Sequence, residues 1–170
     1  MRDALFRAAI LNWLLGNSDA HLKNFSAVHL PPKSAAGLAL PPRLRLAPFY
    51  DIVCIGIYPD FNHDLAMRIG PTEAWDSVDR PSWGRLARLA CGTRSRRSVT
   101  AAIDRIHTDA GRILPVIDDV IASGLVTRQE AKPIRDVVGS RIRHLNGSMG
   151  WDIPATTGAA ILGCGGWAMS

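Results

Sequence analysis

The chain has 170 residues, of which 47% are hydrophobic and 21% charged, an ordinary globular composition that supports a single core and excludes disorder for most of its length. Lys and Arg outnumber Asp and Glu by 20 to 15, giving a formal charge of +5 that suits an anionic partner such as a nucleotide, a tRNA-bound protein or DNA. The basic residues are scattered apart from Arg94, Arg96 and Arg97, and a solvated face accounts for that cluster.

Cys54, Cys91 and Cys164 are odd in number and far apart, with no CxxC pair, so neither a disulfide framework nor a structural metal site is expected. A reducing cytoplasm fits that usage. The stretch from Met1 to Arg7 interrupts its apolar residues with charges and lacks a signal-peptide layout. No apolar run reaches the roughly 18 residues of a membrane-spanning helix, so no membrane association is expected.

Residues 4 to 15 are apolar except at Arg7 and Asn12, too continuous for a helix with one apolar stripe, and predict a helix buried on most sides that ends at Gly16 and Asn17. After a polar stretch, residues 25 to 30 and 44 to 49 read as two strands around a Pro-rich connection at 31 to 43, a hairpin with a long irregular tip. Alternation over 64 to 70 predicts a further short strand. Helical spacing then predicts helices over 82 to 91, 96 to 123 and 127 to 145, with Pro115 as a point of bending in the second. Gly124 marks a stop, and Thr127 with Glu130 forms a capping box for the last helix. From 147 onward small residues and glycines dominate without period. The expected fold is therefore mainly α with a small β-hairpin (α+β), in one unit over 1 to 146 followed by an irregular or disordered tail over 147 to 170.

Between the buried helix and the first strand lies Gly16-Asn17-Ser18-Asp19-Ala20-His21-Leu22-Lys23-Asn24-Phe25, in which an acid precedes an amide by five positions. Protein kinases use that interval in their catalytic loop, where the Asp takes the proton of the substrate hydroxyl and the Asn holds a metal. Asp19 would be ionised at neutral pH and able to orient a hydroxyl, and Asn24 offers a carbonyl oxygen of the hard kind Mg²⁺ prefers. A second acid, Asp51, follows the second predicted strand, so a hairpin would return its carboxylate to the end that carries Asn24. Asp, Asn and Ser between a helix and a strand are also common as turn and capping residues, and that alternative stays open here. His21 and Lys23 could each contact phosphate or a carboxylate, and Lys23 reads equally as a solvated cation. Buried packing explains Cys54 better than reactivity does.

The stretches GNSDAHLKNFS and LAPFYDIV resemble the two signature segments of the HipA-like serine/threonine kinase toxins, and LAMRIG and the helix start around Ser82 and Trp83 extend the resemblance over roughly residues 4 to 145. It implies the fold of a protein-kinase-like C-lobe of the HipA type. It further implies Asp19 as catalytic base, Asn24 as a metal ligand, Asp51 as the principal metal-binding carboxylate, and ATP with Mg²⁺ as phosphate donor and ion. A nucleotide-contacting role for His21 and Lys23 is expected from their place in the loop rather than from the resemblance. The partners it implies are a protein carrying the acceptor Ser or Thr, for which an aminoacyl-tRNA synthetase is the best-known type, and a HipB-like DNA-binding antitoxin. Two departures stand out. Position 71 is proline where the family tends to place a second glycine. No G-x-x-x-x-G-K-[ST] or G-x-G-x-x-G segment is present, so a phosphate-clamping N-lobe is expected to come from elsewhere, for instance a separately encoded chain.

The leading expectation is thus a kinase catalytic lobe, inactive when isolated. The alternative is a truncated or split remnant that binds a partner without chemistry of its own. A helical nucleic-acid-binding domain is the third, and direct nucleic-acid binding is not expected because the basic residues do not gather on one recognition helix.

Overall fold

The computed structural model describes residues 2–31, 34–35, 38–39, 43–92 and 95–155. Helix α1, Arg2–Leu14, buries Phe6, Ala8, Ile10, Trp13 and Leu14, which project on several sides, and it packs against each of the three later helices. This is the many-sided burial its continuous apolar run requires. Strands β1 (Ala27–Leu30) and β4 (Arg43–Leu46) pair antiparallel from Ala27 opposite Leu46 to Leu30 opposite Arg43. Within the Pro-rich connection a smaller ladder joins β2 (Ser34–Ala35) to β3 (Leu38–Ala39). A ribbon this narrow is marginal in water by itself. At its base, Phe25 and Phe49 meet edge to face with centroids 6.0 Å apart.

Residues 64 to 70 are not a strand. Leu65 N–H donates to Glu73 O at 2.7 Å, Ala66 N–H to Ser18 O at 3.0 Å and Ile69 N–H to Thr72 O at 3.1 Å, three separate partners rather than one ladder. The alternation had a real cause, because Leu65 and Ile69 are buried while Ala66 and Arg68 are exposed. Extended chain laid over a core has the same two-residue period as a sheet strand. The turn at Gly70 closes with proline at 71. Gly70 has φ +67, and a Cβ there would lie 2.7 Å from Ser82 Cα, so close approach to the next helix requires glycine.

Helix α2 (Arg80–Cys91) starts on Asp79, whose carboxylate accepts from Ser82 N–H at 2.9 Å and Ser82 Oγ at 2.6 Å. Helix α3 (Arg96–Ala122) runs through Pro115. Helix α4 (Arg128–Met149) carries the expected capping box, with Thr127 Oγ1 accepting from Glu130 N–H and Glu130 Oε2 accepting from Thr127 N–H. The four helices enclose a core in which Trp13 and Trp83 meet edge to face at 5.7 Å, a geometry that adds about 0.5–1.5 kcal/mol to simple burial.

The expected boundary between 146 and 147 falls inside α4. The chain then turns back on itself: Asn146 clamps Ile153, accepting from its N–H at 3.0 Å and donating to its carbonyl at 2.8 Å, so that Ile153 is buried. Trp151 packs edge to face on His107. The expectation for the rest of the tail, and Cys164 with it, lies outside the described residues, as does Arg94; Arg96 and Arg97 are exposed. Among the described residues no helix is long and apolar enough to cross a membrane.

Candidate active site

Two irregular segments meet at the base of the hairpin. Arm one, residues 16 to 25, leaves the end of α1, where Gly16 turns the chain at φ +66. Arm two, residues 50 to 58, follows the hairpin, and its first turn is made at Asp51, whose φ of +58 is in the left-handed region. Asp tolerates that region better than most side chains, at a cost of about 1 kcal/mol or more that the surroundings must offset.

What holds Asp51 there is visible. Asn24 Nδ2 donates to Asp51 Oδ2 at 3.0 Å, and Asn17 Nδ2 donates to the Asp51 carbonyl at 3.1 Å. One asparagine therefore grips the carboxylate and another grips the main chain. Both asparagines are buried, Asn17 at 2% exposure and Asn24 at 7%, while Asp51 is exposed, so these bonds are shielded from water on the asparagine side only. Asn17 is itself steadied by Asn12 Oδ1, which accepts from Nδ2 at 2.8 Å. Next to Asp51, the Tyr50 hydroxyl donates to Lys23 O at 2.7 Å and lies 2.8 Å from Ser26 Oγ, tying the two arms together a second time.

Asp19 is placed differently. Its side chain is 56% exposed, and His21 Nε2 lies 2.6 Å from its Oδ1. Its carbonyl accepts from His21 N–H at 2.8 Å and from Asn24 Nδ2 at 3.3 Å, so the main chain of the loop is fixed while the carboxylate faces solvent. Of the five residues singled out in the sequence, Asn24 and Asp51 are thus brought into direct contact, Asp19 and His21 into a pair beside them, and Lys23 is exposed with its carbonyl built into the site. Asn17 and Tyr50 were missed. Asn17 reads in the sequence as a helix stop, although a buried amide at the mouth of a catalytic-type loop needs partners for its donors. Tyr50 stands beside Asp51, and a tyrosine hydroxyl near a buried site has the same need.

The donors available to an ion are hard oxygens: a carboxylate on Asp51 and the amide carbonyl of its neighbour Asn24. That set fits Mg²⁺, which takes one or two protein oxygens and completes its shell with water and phosphate. The cleft around them is small, lined by Asn12, Asn17, Asn24, Phe49 and Tyr50 beside Asp51. A larger groove of about 490 Å³ runs between α1, α2 and the 65 to 69 segment, but its walls are mostly apolar, among them Phe6, Trp13, Phe25, Leu65 and Leu86. Polar side chains among its lining are Arg2, Asn12, Asn17, Ser26 and Arg68. Further along arm two, Cys54 is half-buried, and burial pushes its thiol up from the ordinary value, which keeps it protonated and agrees with a packing role.

The four helices and the hairpin together have a kinase-like fold. A solved structure from Shewanella oneidensis, its toxin–antitoxin HipA in complex with HipB and operator DNA, superposes with a TM-score of 0.61 over 88% of this chain and 32% of that one. At 22% identity that likeness speaks for the fold. The model of the HipA-like C-terminal domain matches residues 1–113, and the chain belongs to that family. Among curated relatives, "Putative kinase Y4mE" of Sinorhizobium fredii is 33% identical over 118 residues, which is 68% of this chain and 26% of that protein. The serine/threonine-protein kinase toxin HipA of Shewanella oneidensis is 38% identical over 68 residues, covering 40% of this chain and 13% of the toxin. The chain therefore spans about a quarter or less of the length of these relatives.

Proposed function

We propose that this chain is the catalytic lobe of a serine/threonine-protein kinase that transfers the γ-phosphoryl group of ATP to a Ser or Thr hydroxyl of a protein. The observation that carries the reading is the 3.0 Å contact between Asn24 and Asp51, which unites residues 27 positions apart in a chain of this family. In this reading Asp19, exposed and acidic, orients the attacking hydroxyl and takes its proton as the oxygen bonds to the γ-phosphorus and the bond from that phosphorus to the bridging oxygen breaks, releasing ADP. Asn24 and Asp51 would hold Mg²⁺, which when bound neutralises charge on the phosphates. Asn17 holds the Asp51 main chain in its turn, and Tyr50 fixes the chain before it. His21, beside Asp19, is placed to hold that carboxylate in one orientation, while Lys23 projects into solvent where an anionic phosphate would approach. Phosphoryl transfer depends mainly on positioning and electrostatics, so a rigid pair of oxygens beside an accessible acid is the arrangement the chemistry needs.

Because the chain spans a small share of its relatives, the remaining nucleotide contacts are assigned to protein outside this segment, whether in the same polypeptide or a second chain. A DNA-binding antitoxin as partner follows from the structural relative, which is complexed with HipB and operator DNA, and an aminoacyl-tRNA synthetase as target follows from the resemblance. The test is transfer of labelled phosphate by a full-length kinase containing this segment. Asp51→Asn and Asp19→Asn should each lower kcat by about 10² or more while the protein stays folded. Normal turnover by either variant would refute the assignment. The 170-residue chain mixed with ATP and Mg²⁺ should turn over little, and measurable Asp19-dependent turnover by it would sink the alternative of a partner-binding remnant.

A further inference from the structure

Arm two has little main-chain bonding to anything but itself, yet its far end touches a helix that the catalytic reading does not use. Helix α4 begins at Arg128, beyond the residues 1–113 matched by the family model. One of its side chains, Val137, reaches both arms at once. A Cβ placed on Gly16 would lie 2.9 Å from Val137 Cγ1, and a Cβ placed on Gly56 would lie 3.0 and 3.2 Å from Val137 Cγ1 and Cγ2. Both glycines are thus pressed against the same isopropyl group. They are also bonded to each other, since Gly56 N–H donates to Gly16 O at 3.2 Å.

Gly16 immediately precedes Asn17, the residue that grips the Asp51 carbonyl, and Gly56 lies five residues after Asp51. The contact at Val137 therefore closes a loop: from Gly16 through Asn17 to Asp51, and back along arm two to Gly56. A β-branched side chain in a helix has one strongly preferred rotamer, so Val137 presents its two methyls in a fixed place. One turn further along α4, Arg141 is 4% exposed, with its guanidinium 3.6 Å from the centre of the Trp75 ring. That anchor keeps the α4 surface around Val137 from shifting against the core.

We propose that Val137 is a positioning residue, whose packing against Gly16 and Gly56 sets the separation of the two arms and so the Asn24–Asp51 contact. Its functional meaning rests on the reading of Asn24 and Asp51 as an ion site, whereas the structural claim does not.

The experiment uses the full 170-residue chain and two readouts. One is the side-chain amide signal of Asn24 in nitrogen-15 NMR spectra, which reports the bond to Asp51 with no metal present. The other is Mn²⁺ binding, read by paramagnetic relaxation of water. Gly56→Ala places a methyl against Val137, and should shift the Asn24 signal and weaken Mn²⁺ binding about ten-fold, the size expected for an overpacked contact. Adding Val137→Ala removes both clashing methyls and should return the signal and bring the affinity back to within about three-fold of wild type. A double variant as impaired as Gly56→Ala, or an unmoved Asn24 signal in Gly56→Ala, overturns the proposal. If Gly56→Ala does not fold, Val137→Ala alone decides: faster hydrogen exchange at the Asn24 side chain supports positioning, and unchanged exchange overturns it. Wild-type protein that binds Mn²⁺ no better than Asp51→Asn would sink the ion-site reading while leaving the Asn24 comparison to judge Val137.

Discussion

Arm one grows out of the end of a buried helix and keeps Asn17, Ser18 and Asn24 inside the protein, whereas arm two has an exposed Tyr50, Asp51, Ile52 and Val53 and makes its turn in a left-handed conformation. The first is an extension of the core. The second is held by what the first presents to it: amides from Asn17 and Asn24, and a carbonyl from Lys23. In the proposed function this asymmetry suits each acid: Asp51, held by two asparagines, would serve as ion ligand, and Asp19, with its side chain 56% exposed, would take the substrate proton. Arm two should consequently be separable from the fold, and arm one should not.

The strongest attempt to break that distinction is Trp83→Ala. Trp83 is fully buried against Trp13, and its truncation should cost about 3–5 kcal/mol, a large part of the stability of a domain this size. Urea denaturation followed by circular dichroism should show one transition in which both arms are lost with the helices. If arm one stayed protected in hydrogen exchange while the helices melted, it would not be an extension of the core. Asn17→Ala comes next. It leaves the Asp51 carbonyl and Asn12 Oδ1 without their donor, an effect of about 1–3 kcal/mol. Most of it should appear as faster hydrogen exchange over residues 51 to 57, with smaller change in α1 to α4. A uniform rise across the helices would mean that arm two is as much part of the core as arm one.

The same contrast explains what could be read from the amino acids in advance. The helices are local: the unbroken apolar run of α1, the helical spacing over 82 to 91 in α2 and the Thr127–Glu130 box before α4 are each legible within a few residues, although the Asp79 cap of α2 was not read. The hairpin pairing and the approach of Asp51 to Asn24 were legible because a turn between two strands must return the chain. Asn17 and Val137 were not, since their importance lies in partners 34 and about 80 to 120 positions away, and nothing in a neighbouring residue reports on that. Residues 64 to 70 failed for a related reason. Their side chains alternate in and out as a strand's do, but their N–H groups go to Ser18, Thr72 and Glu73, and hydrogen-bond partners leave no trace in a hydropathy pattern.

A smaller effect tests whether α4 is anchored at its start or only through its packing. Thr127→Ala removes half of the capping box and should cost about 1 kcal/mol, visible as a modest drop in melting temperature. Because the box sits nearly three helical turns before Val137, the Asn24 amide signal should not move. A shift in that signal would show that the helix slides as a unit and that arm two follows it.

The smallest effect concerns pH and lies wholly outside the site. Hydrogen bonds from Ser82 Oγ and N–H hold the Asp79 carboxyl below the usual value, with Arg85 adding a little, and hydrogen bonds from Thr127 do the same for Glu130. A carboxyl whose folded value is depressed stabilises the native state at every pH above its unfolded value of about 4, and that contribution disappears as pH falls through the lower folded value. Melting temperature should therefore hold steady from neutrality downward and then decline below the ordinary carboxylate range. Asp79→Asn keeps an oxygen that can accept from Ser82 but has no proton to gain, so it should start slightly less stable at neutral pH and lose less on acidification. The gain is shallow because the group is solvent-exposed and Glu130 still titrates. An unaltered acid limb in Asp79→Asn would show that the hydrogen bonds from Ser82 do not carry the acid sensitivity.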